Sequence, residues 1–147
     1  MALIDELKNA QKDAMRAKDK VRLGTIRMAL AAIKQKEIDE QVTLSDADVL
    51  AILTKMVKQR QDAASQYDAA GRDDLAQTER AEITVIETFL PQALTDDELA
   101  ALINEAMAST GASGMQDMGK VMCFLKPKVQ GRTDMGALSA KIKQQLN

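Results

Sequence analysis

The stretch "VLAILTKMVKQRQDAASQYDAAGRDDLAQTERAEITVIETFL", Val49 to Leu90, decides the fold. Val49, Ile52, Leu53, Met56, Ala63 and Tyr67 recur at helical spacing and share one face. Gly71 is a natural left-handed stop for that helix. Beyond it Leu75, Ile86, Phe89 and Leu90 share the face of a second helix. The stretch therefore reads as two long helices folded back on each other at Gly71. Charges interrupt both apolar faces. Arg60 falls in the middle of the first, and Glu79 and Glu82 lie within the second. Arg60 stands eleven residues before Gly71 and Glu82 eleven after it, so an antiparallel hairpin brings the two level. A charge on a buried face is costly unless paired. The spacing predicts an Arg60–Glu82 ion pair, with Glu79 as the other candidate partner. We read it as a structural pair that fixes helix register. No nucleophile or base stands near enough in sequence to make it a catalytic one.

Working outward, the same spacing predicts helices over about 2–17 and 19–40, the second carrying Leu23, Ile26, Leu30 and Ile33. Ser45 is a good N-cap for the helix over 46–70. A fourth helix over 73–89 ends at "LPQALTDDEL" (Leu90–Leu99), because the residue before a proline disfavours helix. Thr95 and Glu98 then form a capping box for a fifth. Gly111 closes it, Ser113 and Gln116 cap a sixth over 113–126, and Pro127 ends that one. Asp134 caps the last, over Met135, Leu138, Ile142 and Leu146. The fold class is all-α in two lobes: four long helices over 1–91 and a small three-helix lobe over 92–147.

Composition narrows the function. The chain has 147 residues, two prolines, three aromatic residues and no histidine. The commonest general acid–base group and metal ligand is thus absent. The lone cysteine, Cys123, cannot build a Cys-rich zinc site, and no metal or cofactor is expected. No apolar signal region or membrane-length run occurs, so the reading is a cytoplasmic protein that does not enter a membrane. The net charge of −2 argues against indiscriminate nucleic-acid binding. It is unevenly distributed: residues 92–114 carry four acids and no base, whereas 115–147 carry six bases and two acids.

The basic segment opens with Gly114-x4-Gly119-Lys120, which matches a phosphate-binding loop up to its lysine. Val121 stands where Ser or Thr would hold Mg²⁺, and the preceding residues read as a helix rather than a buried strand. A helix accounts for the segment better. Met115, Met118, Val121, Met122 and Leu125 fall within about 120° on the wheel, and Lys120 lies opposite. Gly119 inside that helix implies close approach of another backbone. Lys126, Lys128 and Arg132 surround the helix end and the Gly131 turn, where cations are placed to meet phosphates. The competing reading is a solvated polar edge. With so few aromatics, a structured RNA contacted through its backbone suits the segment better than a single strand.

These residues carry a resemblance. "KQRQDAASQYDAAGRDDLAQTERAEITVIETFLPQALTDDEL" (Lys58–Leu99), "DMGKVMCFLKPKVQGRTD" (Asp117–Asp134) and "AMRAKDKVRLGTIRMALAAIK" (Ala14–Lys34) resemble the GatB/YqeY family. The family comprises YqeY-like proteins and the tail domain of the GatB subunit of glutamine-dependent aminoacyl-tRNA amidotransferase. The resemblance covers essentially the whole chain. It implies a two-lobed helical fold and an accessory tRNA-binding module, non-catalytic on its own. The expected phosphate contacts are Lys120, Lys126, Lys128 and Arg132, then Lys58 and Arg72 around the hairpin. The expected partners are tRNA and amidotransferase subunits or another translation-related protein. Two alternatives stand beside it: a protein–protein adaptor with no RNA ligand, and an accessory component of a carbon–nitrogen ligase using glutamine as amide donor. No catalytic residue is assigned, because the chain shows no Ser-Ser-Lys amidase segment.

Overall fold

Asp19, Ser45, Thr95 and Asp134 each accept a hydrogen bond from a backbone N–H of the helix they precede. These caps phase the chain. The computed structural model describes residues 2–147 and shows seven α-helices and no strand among them. Contacts divide the chain into a unit ending at Leu90 and a unit from Pro91 to Asn147.

The first unit holds α1 (Leu3–Ala17), α2 (Lys20–Glu40), α3 (Asp46–Ala69) and α4 (Asp73–Glu87). Lys18 takes the left-handed conformation (φ 56°) that stops α1, and Asp19 starts α2 by accepting from Arg22 N at 3.1 Å. Ser45 and Asp48 form a reciprocal capping box at the start of α3. Asp46 reaches further: its Oδ1 accepts from Leu3 N at 3.0 Å and ties the first turn of α1 to that of α3. Gly71, at φ 71°, makes the reversal between α3 and α4 that the sequence requires. The core gathers Leu7, Ala29, Ile33, Val49, Leu53, Met56 and Ile86 from all four helices.

The second unit holds α5 (Asp96–Thr110), α6 (Met118–Val129) and α7 (Met135–Leu146), with one 3-10 turn at Met115–Asp117. Its core is Leu99, Ile103, Val121, Leu125, Val129, Leu138 and Ile142, with Ala106 and Leu146. Gly131 is buried at φ 77°, so the α6–α7 turn needs glycine there.

Three local expectations are corrected. Pro127 does not end α6, which continues to Val129. Val121, Leu125 and Val129 recur every four residues and are fully buried, and that burial carries the helix through the proline. The bond Pro127 cannot donate would have gone to Cys123 O, at an exposed position where water can substitute. Ser113 does not cap α6. Its N–H instead donates to Asp117 Oδ2 at 3.0 Å, in front of the 3-10 turn. Finally, no backbone approaches Gly119. Nothing lies within 4 Å of the position a Cβ would occupy there. Gly119 is an exposed residue in the first turn of α6. Gly119→Ala should therefore raise stability by about 0.4–1 kcal/mol by restricting the unfolded chain. A lower urea midpoint for that variant would contradict this account of the position.

Candidate nucleic-acid interface

Five of the six expected phosphate-contacting cations fall into two groups. Lys120 projects from the first turn of α6 with its side chain 69% exposed, and its ammonium lies 3.8 Å from Asp117 Oδ1. Lys126 is exposed near the end of the same helix. Their spacing of six residues places them about 9 Å apart along the axis and roughly 120° apart around it. They are separate cations, not one row.

Lys128, Arg132 and Arg72 are already engaged. Lys128 Nζ lies 4.6 Å from the centre of the Phe124 ring and 3.2 Å from Glu105 Oε1. Arg132 Nε donates to Gln92 O at 2.9 Å, while its Nη2 lies 3.8 Å from Glu98 Oε2. Its backbone carbonyl accepts from Leu94 N at 2.9 Å. Arg132 thus stitches the α6–α7 turn to the chain leading into α5. Arg72 bonds Asp74 through both Nε and Nη2 at 3.3 Å. That bidentate contact is the main reason the Asp74 carboxyl titrates below its ordinary range. Lys58 is exposed on α3.

Other charges follow the same habit. Arg80 is ion-paired with Asp68, which raises the guanidinium pKa further. The Asp117 carboxyl is held below its ordinary range, first by the Ser113 N–H and also by Gly114 and Lys120. Arg60 Nε donates to Glu82 Oε2 at 2.7 Å. Glu82 is thus the carboxylate bonded to Arg60, while Glu79 lies half-buried one turn earlier on α4. Between α2 and α3 an open groove of about 580 Å³ runs over Ala32, Ile52 and Met56. Lys36, Lys55, Asp39 and Glu40 stand on its rim, a mixture of signs without a nucleophile.

The largest run of cations escaped the local reading. Lys8 to Lys36 contains nine bases and two acids, net +7, and lies on α1 and α2. A running charge count would have found it. It was hidden because its charges alternate with apolar residues at helical spacing and pass for the polar backs of two core helices.

Among the described residues, no three His, Cys, Asp or Glu side chains are grouped to hold a metal ion. No described helix is long and apolar enough to cross a membrane. What these features define is a small helical protein in which several acids cap helices or pair with arginines, and in which Lys120 and Lys126 extend from α6. The chain belongs to the YqeY-like protein family, whose sequence profile matches residues 4–146.

Among its relatives are proteins named altered inheritance of mitochondria protein 41, mitochondrial. The one from Vanderwaltozyma polyspora is 37% identical over 120 residues, covering 76% of this chain and 64% of that protein. The one from Meyerozyma guilliermondii is 36% identical, covering 78% of this chain and 64% of that protein. The Lachancea thermotolerans protein is 31% identical over 154 residues, covering 97% and 81%. The chain thus spans a little under two-thirds of the first two relatives' length.

The expectation of a cytoplasmic protein is corrected by these names, which assign the relatives to the mitochondrion. The missing apolar signal region addresses secretion alone. Mitochondrial targeting segments are amphipathic and Arg-rich, so that criterion never tested this compartment.

Proposed function

We propose that the protein is an accessory tRNA-binding module, non-catalytic on its own. The observation that carries this reading is the extension of Lys120 and Lys126 into solvent from α6, within a segment of net +4 in a chain of net −2. The resemblance to the amidotransferase tail supplies the ligand class, and phosphate-directed cations supply the physical means. The relatives' names favour a mitochondrial setting over a cytoplasmic one. The test is binding of total tRNA to the full chain across a salt series. The wild type should bind at low salt, with affinity falling as salt rises. The Lys120→Ala/Lys126→Ala variant should lose about two units of slope on a log–log plot. No binding even near 50 mM salt would overturn the reading. It would favour the protein–protein adaptor, for which the groove between α2 and α3 is the supporting observation.

A further inference from the structure

Most arginines in this chain already have a partner. Arg60 holds Glu82, Arg72 holds Asp74, Arg80 holds Asp68 and Arg132 holds Glu98. Arg22 lies over the Phe89 ring at 5.4 Å, and Arg16 is 3.6 Å from Asp13. Among the described residues, Arg27 makes neither an ion pair nor a ring contact. Lys8, Lys12, Lys20 and Lys34 share that state, and all five are exposed. The contrast within the first unit is sharp. Lys8–Lys36 carries net +7, while residues 37–90 hold twelve acids and five bases, net −7. Like charges gathered on one surface repel, and a polyanion relieves that repulsion.

The placement is ordered. On α2, Lys20, Gly24, Arg27, Ala31, Lys34 and Ile38 follow 3–4 spacing along one edge. The cations in that row sit about 10 Å apart and span roughly 20 Å. The two uncharged residues of the row between Lys20 and Lys34, Gly24 and Ala31, are small, and nothing lies within 4 Å of where a Cβ on Gly24 would stand. A strand of backbone phosphates can therefore lie close to the helix. On α1, Lys8, Lys12 and Arg16 form a second row, off the face that buries Leu3, Leu7 and Ala14. The two helices turn back on each other at Lys18–Asp19, so Lys12 stands level with Thr25 and Lys8 with Ala29. The axes of packed helices lie about 8–10 Å apart, and each row lies on the side of its own helix away from the buried residues.

We propose that this exposed edge of the α1–α2 hairpin is the principal phosphate-docking surface of the protein for a structured RNA. The proposal rests on the tRNA-binding reading above and assigns it a different, larger anchor. Neither row carries an aromatic residue, so stacking on single-stranded bases is unsupported. A helix lying on a membrane needs a continuous apolar face, whereas the exposed apolar residues of α2, Val21, Met28, Ala31 and Ile38, are interspersed with Lys20, Arg27 and Lys34. Contact through the backbone of a folded RNA uses the cations alone.

The test compares the wild type, Lys8→Ala/Lys12→Ala/Arg27→Ala/Lys34→Ala and Lys120→Ala/Lys126→Ala, all as full chains, binding total tRNA. The hairpin variant should lose about three to four units of log–log salt slope, against about two or fewer for the α6 variant. Its melting temperature should stay near that of the wild type, because it removes no ion pair. Unaltered binding in the hairpin variant, with loss in the α6 variant, overturns this proposal and leaves the tRNA reading standing. No tRNA binding by the wild type overturns both. Wild-type binding to phosphatidylserine–phosphatidylcholine vesicles and not to tRNA overturns both in favour of a lipid surface.

Discussion

Glu82→Ala should destabilise the protein by about 3 kcal/mol, with the loss read as a lower urea midpoint. The side chains of Arg60 and Glu82 are 12% and 19% exposed, and the Nε–Oε2 distance is 2.7 Å. Arg60 also donates through Nη1 to Met56 O at 3.2 Å and through Nη2 toward Met28 Sδ at 3.5 Å. One guanidinium thereby joins α2, α3 and α4. Removing the carboxylate leaves that cation largely desolvated and facing a thioether and a carbonyl. Breaking a buried pair costs roughly 3–5 kcal/mol, and the residual water contact places this one at the lower end. The pair itself is not the source of the stability. Replacing both partners with apolar residues, as in Arg60→Met/Glu82→Leu, should recover most of the loss, because neither charge is then stranded. A Glu82→Ala midpoint within about 0.5 kcal/mol of the wild type would show a surface contact of the ordinary kind.

The Arg60–Glu82 geometry also shows what local sequence can carry. Its partners are 22 residues apart, yet a tight turn at a glycine and two regular helices fix their relative height. Caps are equally local: Ser45, Thr95 and Asp134 each act within three residues of themselves. Arg132 is different. Its partners Gln92 and Glu98 lie 40 and 34 residues away, with most of α5 and all of α6 between, and no periodicity connects them. A cluster of Lys and Arg around Gly131 therefore looked like one open basic edge, whereas the fold engages Lys128 and Arg132. The course of α6 was obscured for a related reason. Pro127 is a strong local stop, and what overrides it is burial of Val129 against α5 and α7, a tertiary effect. The α1–α2 cations posed the opposite problem. They were legible as a count, but exposed charge on an amphipathic helix is so ordinary that only the folded arrangement separates the paired Arg16 and Lys36 from Lys8, Lys12, Lys20, Arg27 and Lys34.

Leu125→Ala should unfold the second unit at 25 °C. That unit is residues 91–147, a size at which a single core yields a margin of only about 3–5 kcal/mol. Leu125 is fully buried at the centre of α6, one turn from Val121 and one turn from Val129, both also fully buried. Truncating a buried leucine to alanine costs about 2–5 kcal/mol through lost transfer energy and the cavity left behind. Here the loss has an added route, because the Leu125–Val129 side of α6 holds the helix beyond Pro127. Without it the last turn frays, and the adjoining Gly131 turn loses its support. The amide resonances of 91–147 should collapse toward random-coil shifts. Leu125→Met, which keeps the volume, should cost less than about 1.5 kcal/mol and retain the native spectrum. If Leu125→Ala keeps native dispersion over 91–147 and loses less than about 1 kcal/mol, the unit does not depend on this core. Its stability must then come from contacts outside the Leu99–Leu146 cluster.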